Sequence, residues 1–357
     1  MNKHKDTVLL IFGYPLNFRH FGGLVWIKKV ADYIEKSDSL NVKKVSNYVD
    51  AQKPVLQRIN HLRAVLEGCL TSPNISILDT YGEATLSMWI LLRLFKPSAK
   101  IVTVFHHYEP LSLKYKNTNV FAMLYYKLID YFTSLMLRNS DNILTVSLAS
   151  SHQLHSILGI SNSNKIVVVG CASSDKSSEI RMTGPKDLDF LCVGRFEKFD
   201  GIEDIWNIIK KENPNSKFVV VGRASSKDMV RLRNMGIDHR GIVSEEEKMG
   251  LYSRAKVFIF PSMFEGFGIA ITEAFAAGLS VVAWRLPVFE ERFGKECVND
   301  VKLVEMGNTA LFADEALAAV RDQSEPCRKP SRQHNLRITK TWDEVGKDVM
   351  SVLDKIS

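Results

Sequence analysis

Cysteine is scarce: five occur in 357 residues, at Cys69, Cys171, Cys192, Cys297 and Cys327. They are odd in number, scattered and never in CxxC spacing, which argues against a disulfide framework or a cysteine zinc site and for reduced thiols that pack. Long apolar runs are also missing. The stretch 86–95 falls far short of the roughly 18 residues that span a bilayer. The start, MNKHKDTVLLIFGYP, has only a short apolar run before Gly13 and Pro15, so it reads as a first strand and not as a signal peptide. Low-complexity tracts are absent. The apolar and charged fractions, 45% and 24%, are those of a globular protein, and the length predicts about two domains. A cytoplasmic setting is expected.

Charge is unevenly placed. The net charge is +7, yet residues 1–170 hold 19 Lys and Arg against 11 Asp and Glu, so the remainder is close to neutral. A basic first half suits nucleic acid, an anionic membrane or a phosphorylated substrate, and equally an ordinary solvated lysine surface. No groove-reading or base-stacking module accompanies it, so nucleic acid is not an expected partner.

Strand and helix patterns alternate along both halves. In the first, strands are predicted at 7–12, 42–45, 75–78, 100–105, 143–147 and 165–169, with helices at 24–35, 55–70, 84–95, 120–138 and 149–158. In the second, strands are predicted at 190–193, 217–221, 255–260, 279–283 and 301–304, and a final helix at 342–356. This is the pattern of doubly wound, parallel α/β sheets. A polar link over 172–186 separates two Rossmann-like domains, 1–171 and 172–335, expected to face a central cleft. The segment 336–357 is expected to carry a helix back to the first domain.

One segment holds most of the chemical information, Pro261 to Glu273, PSMFEGFGIAITE. The run AKVFIF before it reads as a buried strand, and IAITEAFAAG after it reads as a helix stopped by Gly278. Gly266 and Gly268 flank Phe267, so the backbone can approach a ligand without Cβ interference. Glu265 lies in the loop and Glu273 in an early helical turn, flanking a helix N-terminus whose free N–H groups favour anions. Alone, such glutamates are more often a dipole partner and a solvated loop residue. Their place inside a strand–helix–strand unit strengthens the functional reading.

These residues carry a resemblance. PSMFEGFGIAITEAFAAGLSVVA, with a Glu, seven residues, Glu element, resembles the signature of retaining glycosyltransferases of the GT-B fold, family 4 type. VGRFEKFDG at 193–201, VVVGRA at 219–224, the glycine pair Gly22 and Gly23, FHHYEP at 105–110 and LTVS at 144–147 add to it. The resemblance implies transfer of a hexose from a nucleotide-diphosphate sugar to a hydroxyl of a glycan or lipid-linked acceptor, with retention of anomeric configuration. By it, Glu273 holds the ribose hydroxyls, and Glu265 with Gly266, Phe267 and Gly268 grips the donor sugar. Arg195 meets the diphosphate, Gly22 and Gly23 approach it from the other domain, and His106 lies near the donor sugar. Arg223 and Val243 fall in loops expected to select the donor base.

Asp200 departs from that pattern, because the family usually has Lys before the glycine aligned with Gly201. Lys198, two residues earlier, is expected to supply the missing charge. No Asp-x-Asp metal motif is expected in the sequence, and no cofactor or metal is expected, since Arg, Lys and helix ends can meet the diphosphate charge. Residues 111–138 interleave aromatics with Lys114, Lys116, Lys127 and Arg138. That helix, apolar nearly all round, fits either burial in the first domain or a surface touching anionic lipid. Two other readings stay open: a nucleotide-sugar epimerase or hydrolase, and a non-catalytic GT-B module that binds nucleotide sugars.

Overall fold

Short apolar, largely β-branched runs form the strands of two α/β units. The computed structural model describes residues 7–12, 22–37, 40–46, 63, 66–68, 70–71, 73–80, 83–107, 119–156, 159, 163–172, 185–294, 300–322 and 340–356. The predicted 55–70 helix lies mostly outside these residues, as do Lys114, Tyr115 and Lys116, most of the 172–186 link, and Cys69, Cys297 and Cys327. The chain divides into Met1–Cys171 with Thr341–Ser357, and Ala172–Lys340.

In the first unit the strands are β1 (Thr7–Phe12), β2 (Asn41–Ser46), β3 (Ile75–Asp79), β4 (Lys100–Phe105), β5 (Asn142–Thr145) and β6 (Ile166–Val168). They pair in parallel in the order β2-β1-β3-β4-β5-β6. Helices α1 (Gly22–Lys36), α2 (Glu83–Phe95), α3 (Val120–Arg138) and α4 (Leu148–Ser156) alternate with them. The last helix of the chain, α11 (Trp342–Ile356), belongs to this unit and packs on α1. Its apolar stripe, Trp342, Val345, Val349, Val352 and Leu353, is buried. Gly346 lies on the same side, against the ring of Tyr33.

Helix α3 corrects the burial reading. Ile129, Phe132 and Met136 pack into a core cluster with Leu9, Leu78 and Ile101. The opposite side is exposed, at 82% for Phe121, 56% for Leu124, 53% for Leu128 and 60% for Tyr131. The helix is therefore apolar on its core face and on its outer face.

The second unit holds β7 (Leu188–Val193), β8 (Phe218–Val221), β9 (Asp238–Gly241), β10 (Ala255–Phe260), β11 (Ser280–Trp284) and β12 (Val301–Val304). Their parallel order is β12-β11-β10-β7-β8-β9. Helices α5 (Ile202–Glu212), α6 (Ser226–Asn234), α7 (Glu245–Arg254), α8 (Ile269–Ala276), α9 (Pro287–Phe293) and α10 (Thr309–Arg321) complete it. Val257, Phe258, Ile259, Val281, Val282 and Ala283 are fully buried in the central strands. Removing the Val, Ile and Phe side chains among them from water contributes on the order of 1.5–3 kcal/mol each, before chain entropy is counted. The sequence pattern did not predict β9, whose residues DHRG alternate between exposed and half-buried at the sheet edge. Cys171 and Cys192 are buried free thiols, and burial pushes the Cys192 thiol well up.

Each sheet reverses its winding once, between β1 and β3 and between β7 and β10. In open α/β sheets, ligands bind outside the carboxyl ends of the strands at this switch.

Candidate active site

The loop leaving β10 is locked before it reaches α8. Gly268 caps α8 with φ 78, in the left-handed region. A Cβ there would come within 2.6 Å of the Phe289 ring, so both conformation and space select glycine. The Arg292 guanidinium, 3.7 Å from the Phe267 ring centroid, donates to Phe267 O (2.6 Å) and Thr272 Oγ1 (2.7 Å). That clamp ties the Gly266-Phe267-Gly268 turn to α9 and to the first turns of α8. Ser262 Oγ lies 3.0 Å from Glu265 Oε1 and fixes the carboxylate from below.

Across the switch point, the loop after β7 meets this one. Lys198 Nζ is 3.6 Å from Glu265 Oε1 and 4.5 Å from the Phe264 ring centroid, and its side chain is buried. Main-chain bonds strap the two loops together: Asp200 N donates to Pro261 O (2.9 Å) and Met263 N to Lys198 O (2.9 Å). Trp284 Nε1 donates to Asp200 O at 3.2 Å. Asp200 thus holds the loop through its main chain, while the residue itself is exposed. Arg195, at the end of β7, lies 3.6 Å from Glu197 Oε1, and Arg223, at the end of β8, donates to the same oxygen at 3.0 Å. Two guanidiniums on one carboxylate leave the strand ends locally cationic. Val243 lies half-buried in the loop between β9 and α7.

Glu273, in the second turn of α8, is only 3% exposed. Lys248 Nζ donates to its Oε1 at 3.1 Å, and the Tyr252 hydroxyl to its Oε2 at 3.2 Å. Lys248 also reaches Glu245 Oε2, at 3.0 Å. Burial pushes the Glu273 carboxyl above the usual range, and Lys248 and Tyr252 pull against that shift. Burial likewise lowers the affinity of Lys248 for its proton, but Glu273 and Glu245 outweigh it, so its pKa is raised. The ammonium therefore stays charged, and it is what permits a carboxylate at this depth. Burial, then Glu273, push the Tyr252 phenol well up.

In the first unit, Gly22 and Gly23 open α1, and His106 follows β4. A Cβ on Gly23 would come within 3.2 Å of the His106 ring. Trp26 meets that ring edge-on at 5.9 Å and donates through Nε1 to Gly170 O at 2.8 Å. His106 Nε2 lies 3.8 Å from Asp79 Oδ1, both side chains being buried. Ser150 Oγ donates to His106 O.

The sequence reading missed Asp79, Lys248, Tyr252, Ser262 and Arg292. Ser262 could have been found, since it falls inside the motif; the others are distant in sequence. The expected absence of an Asp-x-Asp motif does not hold. Asp187-Leu188-Asp189 is an Asp-x-Asp triplet. Its carboxylates are engaged by ion pairs, Asp187 with Arg254 at 2.7 Å and Asp189 with Lys256 at 2.7 Å.

Residues 187–322 match the family described as Glycosyl transferases group 1. They span β7 to α10, and so include the whole Lys198, Glu265 and Glu273 constellation. The match lies wholly within the second unit. Glycogen synthase of Mycobacterium tuberculosis is 26% identical over 59% of this chain and 52% of its own length. An O-antigen biosynthesis glycosyltransferase of Escherichia coli is 23% identical over 58% of this chain and 61% of its own. The chain thus spans about half to three-fifths of these relatives. Among solved structures, sucrose-phosphate synthase from Thermosynechococcus elongatus superposes with a TM-score of 0.76 at 15% identity, over 99% of both chains. Anabaena HepE, solved in complex with UDP-glucose, superposes with 0.68 at 12% identity, over 98% of this chain and all of that one. The two parallel Rossmann-like units of this chain are the GT-B fold of those neighbours.

Proposed function

We propose that this chain, whose second unit matches the group 1 family, is a retaining glycosyltransferase of the family 4 type. It moves a hexose from a nucleotide-diphosphate sugar to a hydroxyl of a glycan or lipid-linked acceptor. The observation that carries the reading is the Lys198–Glu265 pair across the β7/β10 switch point, beside buried Glu273 on α8. A fixed carboxylate accepts two hydroxyl hydrogens, so Glu273 suits the ribose and Glu265 the sugar ring. Arg195, Arg223 and the N-terminus of α8 offer positive potential to the diphosphate. Lys198, beside Glu265, takes the role of the lysine that Asp200 replaces.

In this mechanism the acceptor oxygen bonds to the anomeric carbon as the bond from that carbon to the phosphate oxygen breaks. The acceptor proton passes to the departing phosphate on the same face. The protein contributes orientation and charge stabilisation and no covalent nucleophile. His106, held by Gly23 and Trp26 and close to Asp79, serves the donor sugar, with Gly22 and Gly23 at the phosphates. A cytoplasmic location, with an acceptor presented at an anionic membrane surface, completes the reading.

Thermal stabilisation and slow hydrolysis should be measured across UDP-, GDP- and ADP-sugars. One donor class is expected to raise Tm and to be hydrolysed without acceptor. Binding without turnover would favour a non-catalytic module, and conversion to another nucleotide sugar would favour an epimerase.

A further inference from the structure

We propose that the outward face of α3, together with the adjoining end of α2, docks this protein on an anionic lipid bilayer. The inference is independent of the chemistry at Glu265 and Glu273. A surface helix ordinarily turns polar residues outward, opposite its core stripe. Helix α3 does not. At about 100° per residue, Val120, Phe121, Leu124, Leu128 and Tyr131 fall on one side, and all five are exposed, with Phe121 at 82%. Another side carries Ile129 and Met136 into the core, so this helix is apolar on an outward stripe as well as on its core face. Helix α2, packed against α3, ends in Leu94 and Phe95, exposed at 68% and 71%.

Charge complementarity selects the occupant. Lys127, which is exposed, lies at the edge of the α3 stripe, and the half-buried Lys96 follows Phe95. Asp130, the one carboxylate of α3, falls on the opposite side of the helix and is half-buried. Residues 1–170 carry 19 Lys and Arg against 11 Asp and Glu. Aromatic and aliphatic side chains with lysines at the rim are what an interfacial helix presents to headgroups, its apolar groups entering the acyl boundary while the ammoniums stay among phosphates. No helix among the described residues is long and apolar enough to cross a membrane, so α3 would lie in the plane of the interface.

The test is cosedimentation of the full chain, at low salt, with phosphatidylcholine vesicles and with vesicles also containing phosphatidylglycerol. Binding is expected to the anionic vesicles and to weaken with salt. Phe121→Ser/Leu128→Ser should reduce it by roughly tenfold or more, and Lys127→Glu by several-fold, with donor-induced stabilisation unchanged in both. Lys127→Glu keeps the test readable if the double variant folds poorly. Absence of binding to anionic vesicles, or equal binding by all three proteins, would overturn the proposal. So would a lipid-free dimer that the double variant converts to monomer, since the face would then belong to a second copy.

Discussion

Glu273 combines a negative charge with nearly complete burial, and it needs Lys248 to do so. The pair is close at 3.1 Å, and removing one partner strands the other. Lys248→Met is predicted to cost roughly 1–3 kcal/mol of stability at neutral pH. The sign of its pH dependence follows from the raised carboxyl pKa of Glu273. A group whose folded pKa is raised stabilises the fold below its unfolded pKa and loses that contribution as pH rises through the folded value. The deficit of Lys248→Met should therefore shrink as the solution is acidified, read by urea unfolding at neutral and mildly acid pH. A deficit independent of pH would assign Lys248 to packing alone. At the second carboxylate, Lys198→Ala and Arg195→Ala should each lower turnover by on the order of 10–1,000-fold. If Lys198→Ala left turnover and donor affinity intact while Arg195→Ala abolished activity, Lys198 would not replace the missing family lysine. The glutamates were legible because their spacing brackets a glycine turn between strand and helix. Lys248, Tyr252 and Arg292 were not, since chain folding alone brings them to α8 and its loop.

Elements differed in how much of themselves they showed. Strands such as β10 and β11 are continuous apolar runs because both faces are buried, and they were readable from AKVFIF and SVVAW. The edge strand β9 escaped notice because three of its four residues, Asp238, His239 and Arg240, are polar, and its register is set by pairing with β8. Helices α5, α6, α7, α9 and α10 were not singled out either; α6 buries only Leu232, whereas α5 buries Ile202, Ile205, Trp206 and Ile209 at helical spacing and was legible. Whether α3 was covered or bare depends on tertiary packing, so its all-round apolarity left the question open. Two glycines make element-level claims testable. Gly268→Ala should cost roughly 1–3 kcal/mol through left-handed strain and pressure on Phe289. It should also lower donor affinity by loosening the loop that holds Glu265. Gly346→Ala sets helix propensity, a gain of about 1 kcal/mol, against a Cβ placed 2.3 Å from Tyr33 Cγ. Since that contact is with the base of a ring held between α1 and α11, Tm is expected to fall; a rise would show that Tyr33 yields freely.

Over the whole molecule, two parallel α/β units follow from the alternation of strand and helix patterns, and the solved neighbours share that fold over nearly all of the chain. The fold does not choose the chemistry; the constellation at the β7/β10 switch carries that claim. Arg195, Arg223, Lys198 and the α8 N-terminus supply positive charge without a divalent ion, so turnover should persist in EDTA, and its loss would contradict the charge assignment. The most direct test of the account is proton NMR of donor turnover by the wild-type chain and Glu265→Gln, using the donor that stabilises the protein most. Wild type is predicted to release or transfer the sugar with the donor's own anomeric configuration first, and Glu265→Gln to be slower by on the order of 100-fold or more. First release of the opposite anomer, or equal rates for the two proteins, would contradict it.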